Sequence, residues 1–440
     1  MTQTRNQITI QALAFASQLL PAIIGVGSFM LLVRATTPVV LGEYIVYLTA
    51  VVLFEMVKSG GLQSALVMRV STDNKEHQLR IIGSAYWLGG LFAIAVSLIL
   101  ITLFFTGVFA KQPGIQVFCG WYAVLGLVTL PLHIAEAEGV AKQDLVFLLL
   151  LRVSQSANAL IIAIYSYFRG GDLKDFATVH LLFTLCLMLI ILVLRKTNPL
   201  SVRYKTIEEI KALFKLIKYT LATLATTNIL KSADTFLISS FMGPAAVAKY
   251  AIPLKLTEFF EIPLRSLSTT AFPQLAAKNN EGDLLGFKNT FVQYISWAYM
   301  LYIPGLILTL FVAPYLVLII GGKQYADTTP IFMVFILYGL LLPSDRMTGI
   351  SLDALQKPAL NFRKVFIMAI VNILADLAAI YFTHRLEWVA FASVLNVLTG
   401  AILGFTMLER TNCLPRFSVW KEVSEYSFSF ARKVIAQKNK

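Results

Sequence analysis

Uninterrupted apolar runs of more than about 18 residues recur from one end of this chain to the other, and each is long enough to cross a bilayer core of about 30 Å as a helix. Of its 440 residues 57% are hydrophobic and only 14% charged, against about 45–50% and about 25% in an ordinary soluble domain. A water-soluble globule is thereby excluded, and the chain reads as an all-α polytopic membrane protein. The three cysteines, Cys119, Cys186 and Cys413, are too few and odd in number for a disulfide-stapled secreted fold. They read as small core residues.

The runs place twelve spans at residues 8–33, 41–68, 81–108, 115–140, 145–168, 176–194, 213–241, 248–274, 287–313, 328–350, 362–383 and 388–409. The stretch 314–320 either extends the ninth span or lies in the interface. An even number puts both termini on one side. Lys and Arg are unequal across the alternating loops, with 24 on the set that includes the termini, 7 on the other and 6 inside spans. The richer set is expected in the cytoplasm, and both termini with it. The net charge of +13 therefore records orientation, and no nucleic-acid partner is implied. Arg5 ahead of the first run imitates a secretory signal, but the run is about twice the usual signal core and reads as a retained helix.

In the longest hydrophilic loop, 195–218, Thr206-Ile-Glu-Glu precedes apolar residues, a capping-box pattern for an interfacial helix leading into span seven. It suggests a six-helix bundle over 1–200, a second over 201–412 beginning with that helix, and a basic cytoplasmic tail over 413–440. At an offset of 206 residues Gly42-Glu-Tyr44 falls opposite Ala248-Lys-Tyr250, and Leu53-Phe-Glu55 opposite Phe259-Phe-Glu261. A weaker echo pairs Glu138 and Lys142 with Asp353 and Lys357. Two such repeats, related by an axis along the membrane normal, are expected to enclose a cavity.

Charges inside spans are costly, so they face a wet cavity or a partner. Lys255, Glu258, Glu261 and Arg265 fall within an arc of about 120° on span eight. They either line a cavity or form a self-neutralised stripe of i,i+3 and i,i+4 pairs. Thr220, Thr223, Thr227, Lys231 and Asp234 share one face of span seven, with Lys231 and Asp234 either paired or open to substrate. Glu55 and Lys58 form an i,i+3 pair in span two. Arg34 closes span one after a Gln7, Gln11, Gln18 face, lining a cavity or snorkelling outward. Arg152 is expected to snorkel to the cytoplasmic interface. Asp345 and Arg346 follow Pro343, where a proline break frees backbone carbonyls. Asp376 is protonated, ion-binding or paired across helices. His133, near Glu136 and Glu138, reads as a solvated interfacial residue rather than a metal ligand or proton relay. Prolines 21, 131, 253, 263, 304 and 343 kink spans or simply fit their packing.

No phosphate-binding Gly-Lys-Ser/Thr loop, metal-type cysteine cluster or large soluble stretch is present, so transport is expected over catalysis, without a cofactor and without a metal. The stretch Asp234 to Pro273 has Phe-Met-Gly at the exit of span seven, Lys-Tyr at the start of span eight and Ala-Phe-Pro-Gln-Leu at its end. With Gly321-Gly-Lys-Gln-Tyr-Ala, Asp353-Ala-Leu-Gln-Lys-Pro and Leu41-Gly-Glu-Tyr, it resembles the Wzx-type polysaccharide flippases of the multidrug, oligosaccharidyl-lipid and polysaccharide exporter superfamily. The resemblance implies two six-helix bundles around a central cavity in a bacterial inner membrane. It further implies export of undecaprenyl-diphosphate-linked oligosaccharide repeat units for O antigen or capsule, with polysaccharide polymerase and chain-length proteins as partners beside the lipid-linked substrate and the bilayer. A diphosphate needs fixed cations, for which Arg34, Lys58, Lys231, Lys255, Arg265 and Arg346 are the candidates. Glu55, Asp234, Glu258, Glu261, Asp345 and Asp376 are candidates for tuning the cavity or carrying a coupling proton or sodium ion. The rivals are an ion-coupled multidrug exporter, disfavoured by the cations inside spans, and a flippase for another lipid precursor.

Overall fold

The structure is a computed structural model that describes residues 2–70, 75–411, 421–426 and 429, with the side chains of 2–15, 18, 64, 68, 70, 218–223, 225–227, 230 and 231 outside the description. The expectations for Lys231, Thr220, Thr223 and Thr227, for the Gln7, Gln11, Gln18 face, and for Arg5, Cys413 and most of the tail therefore lie outside the described residues.

Apolar backbone in hydrocarbon must satisfy its own hydrogen bonds, which a helix does within each segment. The described chain accordingly runs through twelve long α-helices. In the first half these are α1 (Thr2–Ala35), α2 (Pro38–Val70), α3 (Lys75–Thr106), α4 (Pro113–Ala141), α5 (Leu145–Arg169) and α6 (Leu173–Val193). They are followed by α7 (Ile207–Met242), α8 (Pro244–Asn280), α9 (Leu284–Gly321), α10 (Thr329–Ala354), α11 (Pro358–Thr383) and α12 (Leu386–Arg410). Short 3-10 turns, Pro199–Tyr204 and Lys323–Thr328, precede α7 and α10. Nine of the described helices are long and apolar enough to cross a membrane. On α8, four charges between positions 255 and 265 break the apolar run. The stretch 314–320 continues α9, so of the two expectations for it the extended span holds.

Several helix ends are set by local chemistry. Asp144, Thr206 and Asp283 cap α5, α7 and α9 by accepting from the amides of Phe147, Glu209 and Gly286 at 3.2, 3.3 and 2.7 Å. Thr206 is thus the helix start its sequence pattern indicated, and α7 continues from it without a break into the span.

By its contacts the chain divides into Met1–Ala248 and Lys249–Lys440. The sequence division after residue 200 put α7 with the second half; its packing along α2 and α3 groups it with the first. In the first unit α1 lies along α5, and α2 and α3 pack on α4. One core gathers Leu62, Leu66, Ile81, Ala85, Leu130 and Ile134 with Leu213 and Ile217 of α7. In the second unit α10 packs on α9 and α12, and α11 on α12. Its core joins Phe287, Phe291, Ile295, Met347 and Leu408 to Val423 in the described part of the tail.

The internal echo has a backbone counterpart. α2 begins at Pro38 and α8 at Pro244, an offset of 206 residues. α4 and α10 also end alike, each on a glutamine in the left-handed region: Gln143 at φ 55° and Gln356 at φ 56°. The next amides, Asp144 and Lys357, reach back to the carbonyls of Gly139 and Leu352 at 2.9 and 3.0 Å. This closing pattern satisfies otherwise orphaned carbonyls.

Candidate functional site

Glu55 and Lys58 lie one turn apart on α2 and meet at 2.8 Å. The Lys58 ammonium, only 4% exposed, also donates to the Gly126 carbonyl at 2.8 Å and to Thr129 Oγ1 at 2.5 Å, both on α4. Thr129 passes a hydrogen bond on to Glu55 Oε1 at 3.0 Å. One turn further along α4, His133 Nε2 bonds directly to Glu55 Oε2. This corrects the reading of His133 as a solvated interfacial residue, because the packing of α2 on α4 brings it to the half-buried Glu55 carboxylate.

The cluster opens on a half-open cavity of about 120 Å³ within the first unit. Glu55, Thr129 and His133 form one wall, Gln155 and Asn158 of α5 another, and His180 and Thr184 of α6 a third. His180 Nδ1 lies 3.2 Å from the Tyr47 hydroxyl. Asn158 Oδ1 is buried with no hydrogen-bond donor on it among the described residues. The cavity therefore combines an acid, two imidazoles and an open amide oxygen, groups able to take up a proton or a small cation. Among the described residues no group of three or more His, Cys, Asp or Glu is placed to hold a metal ion.

The second unit carries its charges differently. Lys255 pairs with Glu258 at 2.8 Å and Arg265 with Glu261 at 2.7 Å, the two intrahelical pairs that the spacing on span eight allows. Arg346 of α10 approaches the same Glu261 at 3.8 Å. Two guanidiniums thus share one carboxylate, and the Arg265 side chain remains 65% exposed and that of Arg346 41%. Asp345, next in sequence, turns to Lys364 of α11, whose ammonium reaches its Oδ1 at 2.8 Å and its backbone carbonyl at 2.9 Å. Lys364 is buried, although its place near the start of span eleven assigned it to a cytoplasmic loop. Asp376 is fully buried and accepts from Asn372 at 2.8 Å, one turn away.

The remaining candidates are separate from these groups. Arg34 donates to the Met30 carbonyl at 2.9 Å and lines an open cleft between α1 and α5. Asp234 is buried on α7. Arg152 bonds to Glu136 at 3.0 Å, a pair across α4 and α5. Sequence reasoning passed over His180 and Lys364. The signal for His180 was present, since it is an ionisable residue within the apolar run of span six.

Several solved structures share this fold. An inward-facing multidrug resistance MATE family transporter of the MOP superfamily superposes with a TM-score of 0.73 at 14% identity, covering 93% of this chain and 99% of its own. The lipid II flippase MurJ in an inward closed conformation gives a TM-score of 0.69 at 17% identity, over 96% of this chain and 90% of its own. A MOP superfamily transporter from Pyrococcus furiosus, whose binding pocket is described as reversed in polarity, gives 0.58 at 13% identity over 91% and 96%. No curated protein matches. These likenesses show the fold, an all-α polytopic membrane architecture, as the Wzx-type resemblance led one to expect. The family model for polysaccharide biosynthesis proteins matches residues 31–330. With most of its helices inside that match, the chain belongs to the polysaccharide biosynthesis protein family.

Proposed function

We propose that this protein is a flippase carrying undecaprenyl-diphosphate-linked oligosaccharide repeat units from the cytoplasmic to the periplasmic leaflet, by alternating access, for assembly of a surface polysaccharide such as O antigen or capsule. It works in a bacterial inner membrane with both termini in the cytoplasm, and it moves its substrate without covalent chemistry. The observation that carries this reading is the Arg265–Glu261–Arg346 group. With α8 and α10 read as spans, a guanidinium exposed from either is too costly in hydrocarbon and has to face water or an anion. Two guanidiniums against one carboxylate leave a net positive charge, and their planar forks suit phosphate oxygens.

In this account Lys255 and Arg34 add positive charge along the path, and Lys231 is kept as a candidate. Lys58, held by three acceptors, serves as countercharge to Glu55 instead of contacting substrate. Glu55 with His133, and Asp376 with Asn372, are assigned to proton or sodium coupling, while Glu258, Asp345 and Asp234 tune the charged surfaces. Polysaccharide polymerase and chain-length proteins are the partners that such a role calls for.

Deleting the gene in its native strain tests the proposal. The expected result is loss of surface polysaccharide with accumulation of lipid-linked repeat units on the inner leaflet, both reversed by the wild-type gene. Normal polysaccharide together with altered sensitivity to cationic drugs would replace this reading with a multidrug exporter.

A further inference from the structure

Away from the polar cavity, α2, α3 and α7 leave an apolar cleft of about 250 Å³ in the first unit, lined by Val57, Leu62, Leu88, Leu91, Phe92 and Phe214 among others. It opens outward, for Leu91 is 59% and Phe214 56% exposed. The space exceeds the roughly 150 Å³ that admits benzene in an engineered apolar cavity. On a helix surface bathed in lipid, the molecule available to fill it is a hydrocarbon chain. Lys58 is the charged residue on its wall, and its ammonium is turned away to Glu55 at 2.8 Å.

The rim is cationic at the end where α3 and α7 begin. Lys205 Nζ stands 3.4 Å from the centre of the Trp87 ring, and Trp87 lies one turn from Leu91 on the same face of α3. The start of α7 is held there by the Thr206 amide, which donates to Ser84 of α3 at 3.3 Å. Lys211 precedes Phe214 and Ile217 at successive i,i+3 positions, so it sits one turn above the cleft on the α7 side. Lys205 and Lys211 are both exposed. Of the two acids in the first turn of α7, Glu209 is taken up by Arg69 at 3.0 Å, and Glu208 is exposed on a segment that also carries Arg203, Lys205, Lys211 and Lys215. Trp87 and Tyr204 mark this level with the amphipathic rings that favour a headgroup boundary.

We infer that this cleft binds an anionic phospholipid of the leaflet in which α3 and α7 begin, with one acyl chain along Leu91 and Phe214 and the phosphate between Lys205 and Lys211. The occupant would touch Lys58 from the side opposite the polar cavity, so a bound lipid bears on the Glu55–Lys58 pair.

The test uses the full chain in nanodiscs containing phosphatidylglycerol with a diazirine on its acyl chain, compared with the phosphatidylcholine analogue. After illumination, label is expected on the peptides covering 88–95 and 214–217, about tenfold stronger for phosphatidylglycerol, the size of effect that one or two lysines beside a net anionic headgroup produce. Lys205→Glu with Lys211→Glu should reduce it to the phosphatidylcholine level, and Lys205→Arg with Lys211→Arg should preserve it. Ala95→Trp, which fills the cleft, should remove label there from both probes while labelling elsewhere is unchanged. Equal labelling by the two lipids, or label spread evenly along the exposed face of α3, would overturn the inference. No transport is measured, so this outcome is independent of the flippase reading.

Discussion

Glu55 of α2 and His133 of α4 are bonded directly inside the first unit, and the same carboxylate holds Lys58 at 2.8 Å. The lysine is buried, so its charge depends on the acid for compensation. Glu55→Gln should destabilise the protein by about 3–5 kcal/mol, the usual cost of leaving one partner of a buried pair. Glu55→Gln with Lys58→Met should recover most of that loss. Thermal unfolding in detergent, followed by loss of monodisperse protein, measures both. A double variant no more stable than the single one would refute the pair as described.

The Asp345–Lys364 pair makes a parallel prediction in the second unit. Asp345→Asn strands a lysine whose side chain is 3% exposed, so the loss should again be about 3–5 kcal/mol. Arg346→Gln, at the adjacent position, removes a half-exposed group at 3.8 Å from its acid and should cost less than about 1 kcal/mol. The same unfolding assay separates the two, and equal losses would contradict the assignment of neighbouring charges to different partners.

Close approach of helices depends on particular glycines. A Cβ on Gly42 would overlap the Pro244 carbonyl, whereas one on Gly27 meets nothing within 4 Å. Gly42→Ala should therefore lower stability by about 1–3 kcal/mol through overpacking. Gly27→Ala should leave it unchanged or raise it by about 0.5–1 kcal/mol through helix propensity. Comparable expression and melting of the two variants would count against this contact.

Asp144 supplies a pH-dependent contribution at the turn between α4 and α5. A hydrogen bond from Lys196 and then one from the Phe147 amide hold its carboxyl below the usual aspartate range. Because the folded-state value is depressed, its stabilisation is present above the ordinary aspartate pKa of about 3.9 and is lost as pH falls below it. Asp144→Ala should cost about 0.5–1 kcal/mol at pH 7, as expected for a helix cap, and the difference from wild type should shrink progressively as pH falls below the ordinary aspartate range. A difference that persists at low pH would assign the effect to packing.

The helices were legible because each apolar run is long and flanked by charge. α9 runs on through Pro314, and α7 starts at the Thr206 cap that its capping-box pattern marked. The intrahelical pairs at Lys255–Glu258 and Glu261–Arg265 were legible for the same reason, since spacing along one helix fixes them. Pairs between helices were not. His133 reaches Glu55 and Lys364 reaches Asp345 only through the packing of α2 on α4 and of α10 near α11, which periodicity does not encode. Lys364 was misplaced because a lysine near a span boundary looks like a loop residue until its neighbour's carboxylate is found. His180 was legible in principle, as an ionisable group within an apolar run.

In the proposed flippase, the exposed guanidiniums of Arg265 and Arg346 hold the diphosphate of a lipid-linked sugar during its passage. The most direct measurement is translocation in proteoliposomes loaded with purified undecaprenyl-diphosphate-linked repeat unit, following the fraction of sugar that an added glycosidase reaches over time. Wild-type protein should raise that fraction beyond the outward-facing pool, and Arg265→Glu with Arg346→Glu at equal incorporation should hold it at the level of empty vesicles. Wild-type vesicles no faster than empty ones would contradict the flippase, and a double variant as fast as wild type would contradict the role of these two arginines.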